Sequence, residues 1–208
     1  MGKVSLSNID FLQVKDQKNS IFYGCHQEWY GDQWQRKAGC GPSVACNIIS
    51  YLDATKKLFG DTKQIGKMDD CLTLMNEVWN YVTPSERGIP VTSKFYDSFL
   101  FYSAKRGVNL ELRCLDIPEA LERPPFSDVV AFIKEGLLHD VPIAFLNLCN
   151  GKEEELDGWH WVTLVEIDDT GGKHMIRIVD EGIIKTIDLF LWYETTTLGG
   201  GFVYFLAD

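Results

Sequence analysis

The sequence predicts an α+β fold, with a helical layer packed on an antiparallel β-sheet. Two patterns carry that expectation. Apolar residues recur at helical spacing through much of residues 40–138, and after residue 142 they gather into short runs of strand length. The chain has 208 residues, 45% hydrophobic and 24% charged, enough to bury one sizeable core. No repeat, low-complexity tract or long linker divides it, so residues 1–208 read as a single domain with a helical part at about 40–138 and a sheet part at about 142–208.

In chain order, residues 9–14 and 21–23 read as early strands, and residues 26–39 as a loop packed by its own aromatic rings. A helix follows from Cys40, since Val44, Ala45, Ile48, Ile49 and Leu52 share one face. Residues 56–61 end it in a turn. Residues 68–81 form a second amphipathic helix, residues 83–90 a turn-rich break, and residues 94–105 a third helix stopped by Gly107. Polar and apolar residues alternate over 109–115, which predicts a strand with one wet face. A proline-broken connection over 118–125 leads to a fourth helix, with Ser127 as N-cap and Asp128 in its first turn, ending near Leu138. Strands are predicted at 142–148, 159–167, 173–181, 183–191 and 201–206, with a charged loop over 151–158.

A formal net charge of −10 argues against nucleic acid or an anionic membrane as the main partner, because both call for basic patches. The N-terminus has no secretory apolar run, and no stretch approaches the ~18 apolar residues of a membrane span, so a cytoplasmic location is expected. Cys25, Cys40, Cys46, Cys71, Cys114 and Cys149 form no Cys-x-x-Cys pair and are joined by no paired His spacing. Neither a metal nor a cofactor is therefore expected, and in a reducing compartment all six are free thiols.

The stretch Gly39-Cys40-Gly41-Pro42-Ser43 stands apart from this background. It sets a cysteine at the start of a helix, where unpaired N–H groups and the helix dipole favour a thiolate. Gly39 and Gly41 are expected to leave the sulfur uncrowded, and Pro42 suits the first helical turn. The alternative is a small buried residue. Gln27, Gln33 and Gln35 lie upstream, and an amide aimed beside the sulfur would stabilise an oxyanion.

His160 heads the predicted strand His160-Trp161-Val162-Thr163, and Asp180 closes the next one. If the two form a hairpin whose paired numbers sum to 340, His160 faces Asp180 and Glu166 faces His174, with Asp169-Thr170-Gly171 as the loop. A shift by one would send His160 and Asp180 to opposite faces, so an odd loop or a bulge is required. Cysteine, histidine and an orienting acid together suit nucleophilic catalysis; His26, His139 and His174 lack such company.

With Gly39-Cys40-Gly41-Pro42, Pro142-Ile143, Gly158-Trp159-His160-Trp161-Val162-Thr163 and Ile178-Val179-Asp180 in hand, the chain resembles the papain-like cysteine peptidases, specifically stand-alone relatives of the bacterial, bacteriocin-processing double-glycine type. The resemblance covers roughly residues 27–46 and 137–182, and residues 53–126 match nothing recognisable. It implies a papain-like fold with the site between helix and sheet. It also implies Cys40 as nucleophile, His160 as general base and acid, Asp180 as orienting acid and a glutamine in the oxyanion hole. That glutamine commonly lies about six residues before the cysteine, where this chain has Trp34, so Gln35 is the first choice, Gln33 the near alternative and Gln27 the reserve. The processing enzymes are usually fused to a membrane transporter, which this chain lacks. The implied activity is a thiol-dependent hydrolase, a cysteine peptidase or amidase, acting on a peptide or amide through a thioester. An acyltransferase or transpeptidase using the same triad and a catalytically inactive peptide-binding module are the alternatives.

Overall fold

The structure, a computed structural model, describes residues 2–60, 66–119 and 122–207. It opens with β1 (Lys3–Ser5), a 3-10 turn at Ile9–Leu12, and a small hairpin of β2 (Gln13–Lys15) and β3 (Ile21–Tyr23). A second 3-10 turn at Gln27–Trp29 leads to α1 (Gln33–Ala38), α2 (Cys40–Lys56), α3 (Met68–Trp79) and α4 (Thr92–Lys105). There follow β4 (Leu110–Ile117), α5 (Phe126–Leu138), β5 (Ile143–Asn147), β6 (His160–Asp168), β7 (Met175–Asp180), β8 (Ile183–Asp188), α6 (Leu189–Thr195) and β9 (Gly200–Ala207). The main sheet runs β4-β9-β5-β6-β7-β8, antiparallel throughout, and β1 pairs with the far half of β6. Helices packed on an antiparallel sheet are the α+β architecture expected.

Helix α2 is the centre of the molecule: every residue from Gly41 to Asp53 is buried, between the sheet strands β5 and β6 and helix α3. Its buried polar residues Asn47, Ser50 and Asp53 are hydrogen-bonded, which lets a helix with polar side chains lie inside. Aromatic rings join the layers. Phe95 stacks on Trp161 with ring centroids 4.5 Å apart, Phe99 on Phe205 at 4.2 Å and Phe145 on Phe202 at 4.6 Å. Each ring buried in full contributes roughly 1.5–3 kcal/mol.

Several expectations are corrected. The aromatic loop of residues 26–39 contains α1, because the Asp32 carboxylate accepts from the Trp34 and Gln35 N–H groups and caps a helix there. The strand expected at 9–14 is a 3-10 turn followed by the short β2. The strand expected at 183–191 stops at Asp188, whose side chain accepts from Leu191 N and starts α6. Helix α5 begins one residue before Ser127, with Pro125 as its N-cap residue, since Phe126 packs against His174, Phe190 and Tyr193. Gly107, at φ 75°, does occupy the left-handed position that ends α4. Asp61, at the end of the turn expected over 56–61, and two residues of the 118–125 connection lie outside the described residues.

The six cysteines are not all free. Cys25 and Cys71 are paired as a disulfide with Cα atoms 6.3 Å apart, tying the segment after β3 to α3, while Cys40, Cys46, Cys114 and Cys149 remain thiols. A separation of 46 residues leaves no local spacing motif from which that pair is legible. Among the described residues, no helix is long and apolar enough to cross a membrane.

Candidate active site

Helix α1 runs end to end into α2, with Gly39 as the single residue between them. Both glycines around Cys40 serve packing more than clearance for the sulfur. A Cβ on Gly39 would lie 2.8 Å from the Tyr30 ring, and one on Gly41 would lie 2.8 Å from Ile89 Cδ1. Side chains there would push the walls away from the thiol that starts α2.

From the sheet side, Trp159 takes a left-handed backbone, φ 58°, and turns the chain into β6 so that His160 heads the strand. A tryptophan in that conformation stores strain of about 1–3 kcal/mol, of the kind that collects at functional sites. The His160 Nε2 lies 2.6 Å from Asp180 Oδ1. The imidazole hydrogen-bonds Asp180 through Nε2, and Cys40 lines the same cavity. The register differs from the expected sum of 340. Thr163 pairs with Val179 and Leu164 with Ile178, then a bulge between Leu164 and Glu166 shifts the pairing to Glu166 with Arg177. The connection spans residues 169–174 and contains a turn at Thr170–Gly172. Glu166 meets Lys3 at 2.8 Å and Arg177 at 3.3 Å, not His174, which packs on Phe126.

Electrostatics follow from these contacts. Burial opposes charge on His160, but the Asp180 carboxylate and the Cys40 sulfur outweigh it and raise the imidazole to about 10. For Asp180, burial alone would push the carboxyl up, and His160 and Lys185 together hold it below its ordinary value. Lys185 is the residue that sequence reasoning missed: its Nζ lies 2.7 Å from Asp180 Oδ2.

Cys40, His160 and Asp180 line one cavity of about 20 Å³. Gln27 lines it too, while Gln33 and Gln35 do not. Gln35 lies in the first turn of α1, half-buried, and Gln33 at its start is exposed. His26, dismissed for want of company, also lines the cavity. Three polar atoms there are buried and without a hydrogen-bond partner among the described residues: His26 Nδ1, Gln27 Oε1 and Ser43 Oγ. Ser43 follows Cys40 by three residues on α2, whereas His26 and Gln27 come near the thiol through the turn at Gln27–Trp29 and the disulfide of Cys25, neither of which leaves a sequence signature. Asn47, two turns along α2 from Cys40, fixes that turn by accepting from Cys25 N at 2.7 Å and donating to Thr163 Oγ1 at 2.9 Å.

A groove of about 180 Å³ opens on the other side of Cys40, with Trp34, Trp159 and Trp161 among its walls. Trp159 and Trp34 are exposed at 58% and 38%, while Trp161 is buried and donates from Nε1 to Ile89 O at 2.8 Å. The other free thiols differ from Cys40 in setting. Burial pushes Cys46 well up and Cys114 to about 11, whereas the Thr197 hydroxyl and backbone N–H groups bring Cys149 down to about 7.

Among solved structures, the chain is similar to the crystal structure of UfSP from C. elegans, with a TM-score of 0.55 and 12% sequence identity. The match covers 100% of this chain and 35% of that one. The likeness is one of fold, and that fold is the papain-like cysteine protease fold. No family model matches the chain, and no curated protein matches it.

Proposed function

We propose that the chain is a thiol-dependent hydrolase that cleaves a peptide or amide bond with Cys40 as nucleophile, His160 as general base and acid, and Asp180 as orienting acid. The observation that carries this reading is the His160 imidazole, with Asp180 Oδ1 at 2.6 Å from Nε2, lining one cavity with Cys40. The papain-like fold supports it.

His160 takes the Cys40 proton, and the thiolate attacks the substrate carbonyl to give a tetrahedral oxyanion. The Cys40 backbone N–H and the Gln27 side-chain amide, which lines the cavity where Gln35 does not, donate to that oxygen. As the C–N bond breaks, imidazolium protonates the leaving amine and a thioester remains. Water, deprotonated by His160, attacks the thioester; the acid leaves and the proton returns to the thiolate. The groove beside Cys40 receives the substrate chain. If an amine replaces the water, the same steps make an acyltransferase. The double-glycine character implied by the motifs makes Gly-Gly peptides one arm of a substrate screen.

A thiol-reactive acyl probe tests the reading, with labelled sites mapped by mass spectrometry. Cys149 is the competing thiol, so the experiment runs in a Cys149→Ser background. Fast labelling at Cys40, lost on His160→Ala, supports the enzyme. Slow labelling spread evenly over the accessible thiols would sink it in favour of an inactive peptide-binding module.

A further inference from the structure

We infer that Lys185 is a positioning residue of this site: its ammonium holds the second oxygen of Asp180, and so fixes the carboxylate whose first oxygen holds His160. The inference rests on the reading of Cys40, His160 and Asp180 as one unit.

The hairpin between β7 and β8 puts the lysine there. Its turn consists of Glu181 and Gly182 alone, both left-handed at φ 49° and 80°, the geometry of a tight two-residue hairpin. The turn pairs Asp180 with Ile183 and Ile178 with Lys185, so Asp180 and Lys185 stand diagonally on one face. A turn one residue longer would send the lysine to the other face. The side chain of Lys185 is 15% exposed and that of Asp180 is 3% exposed, so water competes little for the contact. Each Asp180 oxygen then has its own partner, His160 at 2.6 Å and Lys185 at 2.7 Å, and the carboxylate cannot turn without losing one of them.

The lysine also answers a local excess of negative charge. The carboxylates of Asp157, Asp180 and Glu181 lie within 4.8 Å of one another, and Lys185 Nζ stands among them, 3.8 Å from Glu181. Cys40 from α2, His26 from the segment after β3 and Asp180 from β7 face the His160 side chain, and Lys185, Glu181 and Asp157 surround the far side of Asp180. The ammonium therefore offsets part of the field that three carboxylates exert on the imidazole. With it removed, imidazolium is held too firmly and becomes a poorer acid toward a leaving amine.

The test is an NMR titration of the ¹⁵N-labelled His160 ring in the wild-type chain and in Lys185→Met and Lys185→Arg, repeated in an Asp180→Asn background. Steady-state rates are measured alongside. Lys185→Met is expected to lower the acid dissociation constant of His160 about 3–10-fold and to lower kcat about tenfold with KM little changed. Lys185→Arg restores both, and the effect of Lys185→Met on His160 is much smaller once Asp180 is Asn. An unmoved His160 titration in folded Lys185→Met, or a shift undiminished by Asp180→Asn, overturns the inference. Lys185→Gln, which keeps a hydrogen bond and drops the charge, carries the test if the Met variant does not fold. The titration needs no turnover, so an inactive wild-type chain would count against the proposed activity and not against the Lys185 contact.

Discussion

Asp180 Oδ1 lies 2.6 Å from His160 Nε2 although the two residues are not partners across their strands. The hairpin leaves Asp168 and Met175 in a register that, continued along β6, would set Asp180 across from Thr163 and on the face opposite His160. The bulge between Leu164 and Glu166 inserts one residue and reverses that parity. Asp180 then shares the face of His160, displaced by two residues, and reaches the imidazole diagonally. A single extra residue in β6 thus decides whether the pair exists.

Asp180→Asn keeps the size of the side chain and removes its charge. The amide can present an N–H to His160 Nε2 and favour the wrong tautomer, as an asparagine does in place of a triad aspartate. The expected result is a fall in kcat/KM of about 10²–10⁴-fold, with a His160 pKa lowered toward its ordinary value. Rates and a ring titration on the same sample check it; a loss of rate with no movement of His160 would contradict the orienting role.

Gln27 and Gln35 separate two accounts of the oxyanion hole. Gln27 lines the cavity of Cys40 and His160, and Gln35 does not. Replacing Gln27 by Ala is expected to lower kcat about 10²–10³-fold, the effect of losing one oxyanion donor. Gln35→Ala should leave kcat within about twofold, because an amide away from the reacting carbonyl has no transition-state charge to meet. Equal effects of the two substitutions would return the assignment to an open question among the glutamines.

What the sequence made legible depended on how local the signal was. The Cys40 helix, the His160 strand and the Asp180 strand end announce themselves through spacing and alternation, and the pair Cys40 and His160 falls into one cavity. Helix α1 was hidden by its aromatic content although Asp32 supplies a cap, and α6 by apolar residues that suit either state. Lys185, Gln27 and the partner of Cys25 depend on a two-residue turn, a 3-10 turn and a pairing over 46 residues. Tertiary contacts of that kind leave no periodicity to read.

The pH dependence follows from the directions already given. The His160 pKa is raised to about 10, so its charged form is favoured in the folded chain over the unfolded one. The stability this gives is fully present below about pH 6.5 and is lost as pH rises through the folded value. Asp180 is lowered, so its share is present above its unfolded value near 3.8 and is lost as pH falls through its folded value. Activity that rests on an imidazolium which has taken the Cys40 proton should be lost only on an alkaline limb well above pH 7. A kcat/KM profile falling with an apparent pKa of 6–7 on the alkaline side would contradict the pairing of His160 with Asp180 and Cys40.

Asn47 offers a test of how the site is held. Its side chain joins three layers, accepting from Cys25 N, donating to Thr163 Oγ1 and standing on α2 seven residues after Cys40. Asn47→Ala orphans a buried N–H and frees the segment that carries His26 and Gln27, at an expected cost of about 2–4 kcal/mol, or roughly 5–15 °C in Tm for a chain of this size. Asn47→Asp keeps the acceptor for Cys25 N but buries a carboxylate and gives up the N–H that Asn47 donates to Thr163 Oγ1, and should be at least as damaging. Because the loosened segment bears Gln27, the proposed oxyanion donor, kcat measured well below Tm should also fall, by about tenfold. Denaturation curves and rates at low temperature separate the two effects. Unchanged stability in Asn47→Ala would show that the disulfide to Cys71 holds the segment on its own.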